Sequence, residues 1–326
     1  MSSNTQMTHK AHNRVPETGI PDDAAIVVEN FTKKYGSNRV VDELDFTVQR
    51  GEIFALLGPN GAGKTTTIET LEGYRKPDTG RVRVLGLDPI RESQALKPQI
   101  GVMLQQDGLY SGLTSHEVLH LFAGYYRQPQ NIDSLLERVG LSAANKTRYR
   151  RLSGGQKRRL ALAVALVGNP ILVFLDEPTS GMDPQARLAT WEIIRELKQN
   201  GATILLTTHL MDEAERLADR VAIIDHGHLV ALDTPSGLTG AQNSTVVRFV
   251  APAGIDCTQL STLLYASKAE EIRPGSYLIE TDEAAQLIAE LTTWLRDQHI
   301  TLTELRVGHG SLEDLFLRLT GSEMRD

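Results

Sequence analysis

The chain has 326 residues, 23% charged and 40% hydrophobic, enough for about two domains that bury their cores without disulfide or metal staples. Its 34 basic and 41 acidic residues leave a net charge of −7, which excludes the broadly basic footprint of a general nucleic-acid binder. The single cysteine, Cys257, excludes an intramolecular disulfide and a cysteine-rich zinc site and points to a reducing compartment.

Residues 1–24 are polar and lack the apolar stretch of a signal peptide, so they read as a disordered tail. The longest apolar runs, Leu160–Val167 and Ile171–Leu175, fall short of the ~20 residues a membrane-crossing helix needs. From Ile26 to Leu57, apolar and polar residues alternate around turn signals at Gly36-Ser37-Asn38 and Gly51. Ile53–Leu57 is continuously apolar, as a strand covered on both faces should be. Residues from about 90 to 165 read as mostly helical, with little strand signal after Met103. Buried strands are then predicted at Ile171–Leu175, Thr203–Thr207 and Val221–Asp225. Between the first two lies a helix capped by Asp183, with Pro184 at its first position and Gly201 past its end. Strands alternating with helices predict an α/β sheet with a parallel core.

Beyond Pro235-Ser236-Gly237 the pattern becomes β-α-β-β-α-β, a ferredoxin-like α+β order. It runs from strand Thr245–Val250 through helices near Cys257–Leu264 and Ala284–Arg296 to a last strand at Leu302–Val307. A final helix places Leu312, Leu315, Phe316 and Leu319 on one face and is expected to dock through it.

The strongest motif is Gly58-Pro59-Asn60-Gly61-Ala62-Gly63-Lys64-Thr65, which fits G-x-x-x-x-G-K-S/T. Its glycines let successive backbone N–H groups turn toward a polyphosphate, and the helix that follows adds its positive end. Lys64 is placed to reach the β- and γ-phosphates, and the Thr65 hydroxyl to ligate Mg2+; Thr66 continues the helix start. A buried strand before the loop and a helical stretch after it supply the context this motif requires. The strand Ile171–Leu175 runs into Asp176-Glu177. A carboxylate at a central strand end can ligate Mg2+ beside the phosphates, and the next can orient an attacking water. Without the phosphate loop, the pair would read as a solvated strand exit.

Leu152-Ser153-Gly154-Gly155-Gln156 opens an amphipathic helix and offers a second anion site, made of a hydroxyl and glycine N–H groups. Two phosphate sites in one chain for one γ-phosphate invite a dimer. Here the sequence resembles the ATP-binding subunits of ABC transporters, from about Ile26 to Pro235. The resemblance implies a P-loop NTPase core with a mixed sheet, an antiparallel β subdomain and a helical subdomain. It also implies ATP and Mg2+ as cofactors and a head-to-tail homodimer whose phosphate loops face the partner's Ser153, Gly154, Gly155 and Gln156. Under it Tyr35 stacks on adenine, and Gln105, with Gln106 as the neighbouring register, senses Mg2+ and the membrane partner. Asp183 closes the D-loop Ser180–Asp183, Asp176 binds the metal, Glu177 aligns water and His209 is the switch histidine. Taken alone, Tyr35 would read as a hairpin packing residue and His209 as a polar strand-end residue; order and spacing give them weight.

The end of the chain, Ser311-Leu-Glu-Asp-Leu-Phe-Leu-Arg-Leu-Thr-Gly321, resembles the closing helix of ABC-2-type export ATPases, including the daunorubicin-resistance group. That implies a separate integral membrane permease and export of a drug, antibiotic, lipid or polysaccharide from a position peripheral to the cytoplasmic membrane face. The expected division is a nucleotide-binding domain at 25–238 and a regulatory or dimerisation domain at 239–326. An ABC ATPase acting on ribosomes or DNA is the competing class. It is disfavoured because only Thr66–Arg151 separates the two phosphate motifs, because the chain holds one cassette, and because it is acidic. A metabolic P-loop kinase would not need the second anion motif.

Overall fold

The computed structural model describes residues 24–103, 108–239, 245–263 and 268–320. The first part runs β1 (Ala24–Tyr35), β2 (Asn38–Gln49), β3 (Ile53–Leu57), α1 (Lys64–Leu71), β4 (Thr79–Val84), α2 (Ser93–Leu96) and β5 (Ile100–Met103). There follow α3 (Ser115–Ala123), α4 (Ile132–Arg138), α5 (Gly154–Leu166), β6 (Leu172–Asp176), α6 (Pro184–Gln199) and β7 (Thr203–Thr207). Helix α7 (Met211–Leu217), strands β8 (Arg220–Asp225) and β9 (His228–Asp233), and the short α8 (Pro235–Thr239) complete it.

The central sheet has the order β5-β6-β7-β3-β8-β9. All its pairs are parallel except β8 with β9. All five residues of β3 are buried, and they divide between two cores. Ile53, Ala55 and Leu57 face α3 to α7, whereas Phe54 and Leu56 face α1 and an antiparallel sheet of order β2-β1-β4. Side chains alternate across a strand, so a strand sandwiched between two layers must be apolar at every position. Strands β4 and β9 carried no clear sequence signal because both are short and half-exposed. The stretch read as helical from about 90 contains β5, a strand of the central sheet, so the helical segment begins beyond Met103. The predicted tail lies outside the described residues except for Ala24, which opens β1.

The last part comprises β10 (Thr245–Val250), α9 (Cys257–Leu263), β11 (Lys268–Arg273), β12 (Ser276–Thr281), α10 (Ala284–Asp297), β13 (Glu304–His309) and α11 (Leu312–Thr320). Its sheet is antiparallel with the order β11-β12-β10-β13, the ferredoxin-like arrangement. Val247, Phe249, Tyr277 and Ile279 face Leu260, Leu287, Leu291 and Leu295 of α9 and α10. Helix α11 behaves differently. Its Leu312 and Phe316 are buried in the core of the first part, with Ala214 and Leu217 of α7. The single docking face expected from sequence is incomplete: Leu319 is 39% exposed while Leu317 is buried. The reason is that α11 lies between two bodies. It turns Leu312 and Phe316 to the first, and Asp314 and Arg318 to Arg248 and Glu280 of the second.

Candidate nucleotide site

Strands β6, β7 and β3 are neighbours, and the chemistry-bearing residues follow their C-terminal ends, where open parallel sheets bind ligands. After β3 the chain turns through the loop 58–63 with Gly61 at φ 83° and Gly63 at φ 102°. Gly63 is required twice over: its φ lies in the left-handed region, and a Cβ there would meet the Val40 carbonyl at 2.7 Å. That contact seats the loop against the β1–β2 hairpin. The hairpin also carries Tyr35, 43% exposed and flanked by Lys33 and Arg75, whose charges lie 5.7 and 5.4 Å from its ring centroid. An open, electron-rich face of this kind suits a nucleobase.

Lys64 Nζ donates to the carbonyls of Gly58 at 2.5 Å and Pro59 at 3.1 Å. Burial pulls its ammonium below the ordinary lysine range, and Glu177 and Asp176 pull it back up. Gly58 and Ala62 are buried, whereas Asn60, Gly61 and Thr65 are exposed, with Pro59 and Thr66 between. The loop thus presents its open side at the start of α1, whose N-terminal cap, Gly63, makes no side-chain bond. Behind α1, burial together with Asp176 and Glu69 pushes Glu72 up to about 8.

Across the sheet, Asp176 accepts a short hydrogen bond from the Thr207 hydroxyl. Glu177 stands at φ 48°, a conformation costing a non-glycine residue roughly 1–2 kcal/mol and found where function over-determines the backbone. Its N–H donates to the Thr207 carbonyl at 3.0 Å, and its carboxylate lies 3.5 Å from His209 Nδ1. The strand ends therefore bring together Lys64, Asp176, Glu177 and His209. Gln105 lies outside the described residues.

Asp183 caps α6, accepting from the N–H groups of Gln185 at 3.1 Å and Ala186 at 2.9 Å. Ser153 and Gln156 form a reciprocal capping box on α5: the Ser153 N–H donates to Gln156 Oε1 at 2.9 Å, and the Gln156 N–H to Ser153 Oγ at 3.3 Å. Gly154 starts α5, and a Cβ on Gly155 would lie 3.9 Å from Met182, so this turn and the D-loop adjoin. Two residues absent from the sequence reading tie these loops together. Glu213 of α7 is fully buried, accepts from Thr179 Oγ1 at 2.8 Å and Trp191 Nε1 at 2.7 Å, and has the Thr208 hydroxyl held against it. Burial pushes its carboxyl up. Arg158 of α5 reaches the backbone of Asp176 and Glu177.

Among the described residues no group of three or more His, Cys, Asp or Glu could hold a metal. Mg2+ does not require one, since it binds through one or two protein oxygens together with substrate phosphates and water. Asp176 and the exposed Thr65 hydroxyl fit that requirement.

Strand order, phosphate loop and adjoining carboxylates define a nucleoside-triphosphate hydrolase. The ABC transporter family profile matches residues 41–180. The chain is 40% identical over 97% of its length to Nod factor export ATP-binding protein I of Ralstonia nicotianae (strain ATCC BAA-1114 / GMI1000), covering 99% of that protein. It is 34% identical to the linearmycin resistance ATP-binding protein LnrL of Bacillus subtilis (strain 168), over 91% of this chain and 99% of that one. The daunorubicin resistance ATP-binding protein DrrA3 of Streptomyces coeruleorubidus is also 34% identical, over 93% of this chain and 98% of its own length. Among solved structures, an ATP-binding subunit of an ABC transporter aligns with TM-score 0.62 and 31% identity, over 66% of this chain and 92% of that chain. The cbiO1 subunit from Clostridium perfringens aligns with TM-score 0.60 and 28% identity, over 67% and 91%. The chain belongs to the ATP-binding subunits of ABC transporters, in the branch of the exporters. It binds and hydrolyses ATP, and the ribosome- or DNA-directed reading is set aside.

Proposed function

We propose that two copies of this chain close head to tail on two ATP molecules beneath an ABC-2-type permease, at the cytoplasmic face of a membrane. Export of a drug, antibiotic, lipid or polysaccharide would be driven by that closure. The observation that carries this reading is the near full-length similarity to export and resistance subunits, which extends through the C-terminal part. In the closed dimer each ATP lies between the loop 58–65 of one copy and Ser153–Gln156 of the other, with adenine on Tyr35. Lys64 and the partner's N–H groups neutralise charge on the γ-phosphate, where most of the catalysis of phosphoryl transfer resides. Glu177 aligns the water, and His209 holds Glu177 and the phosphate in register. Thr65, Asp176 and Gln105 would hold Mg2+, which would supply positive charge to the phosphates. The C-terminal domain, 239–326, regulates or stabilises the dimer.

ATP drives the change because the closed form binds it better than the open form does. We assign the permease surface to the helical segment, a reading supported by the exposure of Tyr110, Leu121 and Tyr125 at 63%, 38% and 76%. Large apolar side chains left exposed on and beside α3 suit a protein contact. Glu177→Gln should hold an ATP-bound dimer on gel filtration and lower kcat by about a hundredfold or more. Pulled from native membranes with ATP, that variant should bring a polytopic membrane protein with it. Parental turnover, or ribosomes recovered in place of a membrane protein, would sink the assignment. Tyr125→Ser should weaken the co-purification while leaving the ATPase of the free subunit intact.

A further inference from the structure

Helix α5 opens with Ser153–Gln156 and, one turn on, carries Arg158. The guanidinium is not spent on solvent. Its Nε donates to the carbonyl of Glu177 at 2.9 Å and its Nη2 to the carbonyl of Asp176 at 3.2 Å, with a further short bond from Nη2 to Glu177. Glu177 is the residue in the left-handed conformation, and β7 holds its N–H. The backbone of the catalytic glutamate is therefore pinned on both sides, by the sheet at its N–H and by Arg158 at its carbonyl. The planar fork holds its Nε and Nη2 donors in fixed relation to the two carbonyls, whereas a lysine would have to reach both from one freely rotating nitrogen. Burial lowers the guanidinium's affinity for its proton, but Glu177, Asp176 and Glu213 all face it and favour the charged form.

We propose that Arg158 is a positioning residue that couples the two ATP sites of the dimer: engagement of Ser153–Gln156 by the partner's nucleotide aligns Glu177 in this chain's own site. The inference rests on the head-to-tail dimer proposed above. Ser153–Gln156 acts on one nucleotide and Glu177 on the other, yet both are fixed to α5, by the capping box and by the Arg158 fork. A shift of α5 on closure is carried to the peptide planes on either side of Asp176 and Glu177, and so to the direction of the catalytic carboxylate.

The test compares full-length parent, Arg158→Met and Arg158→Lys for ATP hydrolysis as a function of ATP concentration. Met should lower kcat about tenfold or more with KM within about threefold, the mark of alignment lost and binding kept. It should also bring the cooperative rise of rate with ATP down to a hyperbolic curve. Lys should fall between. Parental kcat and cooperativity in Arg158→Met would overturn the proposal. A fall in kcat with cooperativity unchanged would overturn it too, leaving Arg158 as support for its own site alone. If Arg158→Met does not fold by circular dichroism, Arg158→Lys decides by the same criteria. Glu177→Gln with parental Arg158 serves as the control: failure of that variant to dimerise with ATP overturns the dimer itself, not the role of Arg158 within it.

Discussion

Gly63 has no tolerable replacement. Alanine would need φ near 102° and would set its Cβ against a backbone oxygen of β2 that the hairpin cannot move. The strain alone is about 1–3 kcal/mol, and relief would distort the loop. Gly63→Ala is expected to weaken binding of a fluorescent ATP analogue at least about tenfold, with little change in far-ultraviolet circular dichroism. Glu213 is sensitive for the opposite reason, because its buried carboxyl serves donors from both α6 and the segment after β6. Glu213→Leu would strand the Thr179 hydroxyl and the Trp191 indole N–H, each at a cost of about 1–3 kcal/mol. Its melting temperature should fall well below that of Glu213→Gln, whose amide oxygen can still accept. Residues of the phosphate loop and the strand ends were legible in the sequence because a polyphosphate site demands that spacing. Arg158 and Glu213 were not. An arginine among Lys157 and Arg159, or a glutamate among Asp212 and Glu215, reads as solvated charge until the fold turns it inward.

At the scale of elements, α11 joins the two parts of the chain. Ser311 and Asp314 bond each other's backbone N–H, from the Ser311 N–H to Asp314 at 2.9 Å and from the Asp314 N–H to Ser311 at 3.3 Å. The Leu312 N–H is accepted by Glu215 of α7 at 2.5 Å, so one of the orphan donors of the helix start is satisfied by the other body. Arg248 Nε donates to Asp314 at 2.6 Å. Burial would push the Asp314 carboxyl up, but bonds from Arg248 and Ser311 outweigh it and hold the group below 3.8. An acid with a depressed folded pKa stabilises above its unfolded value and loses that stability as pH falls through the folded one. Asp314→Asn should therefore lower the melting temperature at neutral pH, since it leaves Arg248 facing a neutral amide. The gap in melting temperature should narrow as pH falls below the ordinary aspartate range and through the depressed folded value, where the parent's carboxylate is protonated. Here the sequence was half informative. The heptad-like spacing showed that α11 docks, but spacing along one helix cannot show that it docks on two bodies, and so Leu319 was misplaced. Strands β4 and β9 escaped for a related reason: with one side in solvent they carry too few apolar residues to stand out.

Taken whole, the chain is less modular than its division at about residue 239 suggests. Leu312 and Phe316 are 0% and 1% exposed within the core that holds α7. The division expected from sequence implies that deleting the residues after Gly240 alters dimerisation or coupling while preserving the nucleotide contacts. The structure instead predicts that the shortened protein melts markedly lower. Truncating one buried leucine and one buried phenylalanine costs about 2–5 and 3–5 kcal/mol, against a total of about 5–15 for a typical domain. Leu312→Ala with Phe316→Ala in the full chain should reproduce much of that loss, and a truncated protein with parental melting temperature would refute it. Position in the chain gives this arrangement a temporal meaning. Domains generally fold as they emerge from the ribosome, N-terminal first, but α7 ends at Leu217 and α11 begins only at Leu312, after the whole ferredoxin-like sheet. The apolar side of α7 therefore stays uncovered until the segments through β13 and α11 have been made. A message broken before α11 would release an ATPase with an open seam along α7. Chaperones and proteases could recognise that seam before a defective subunit reached a permease.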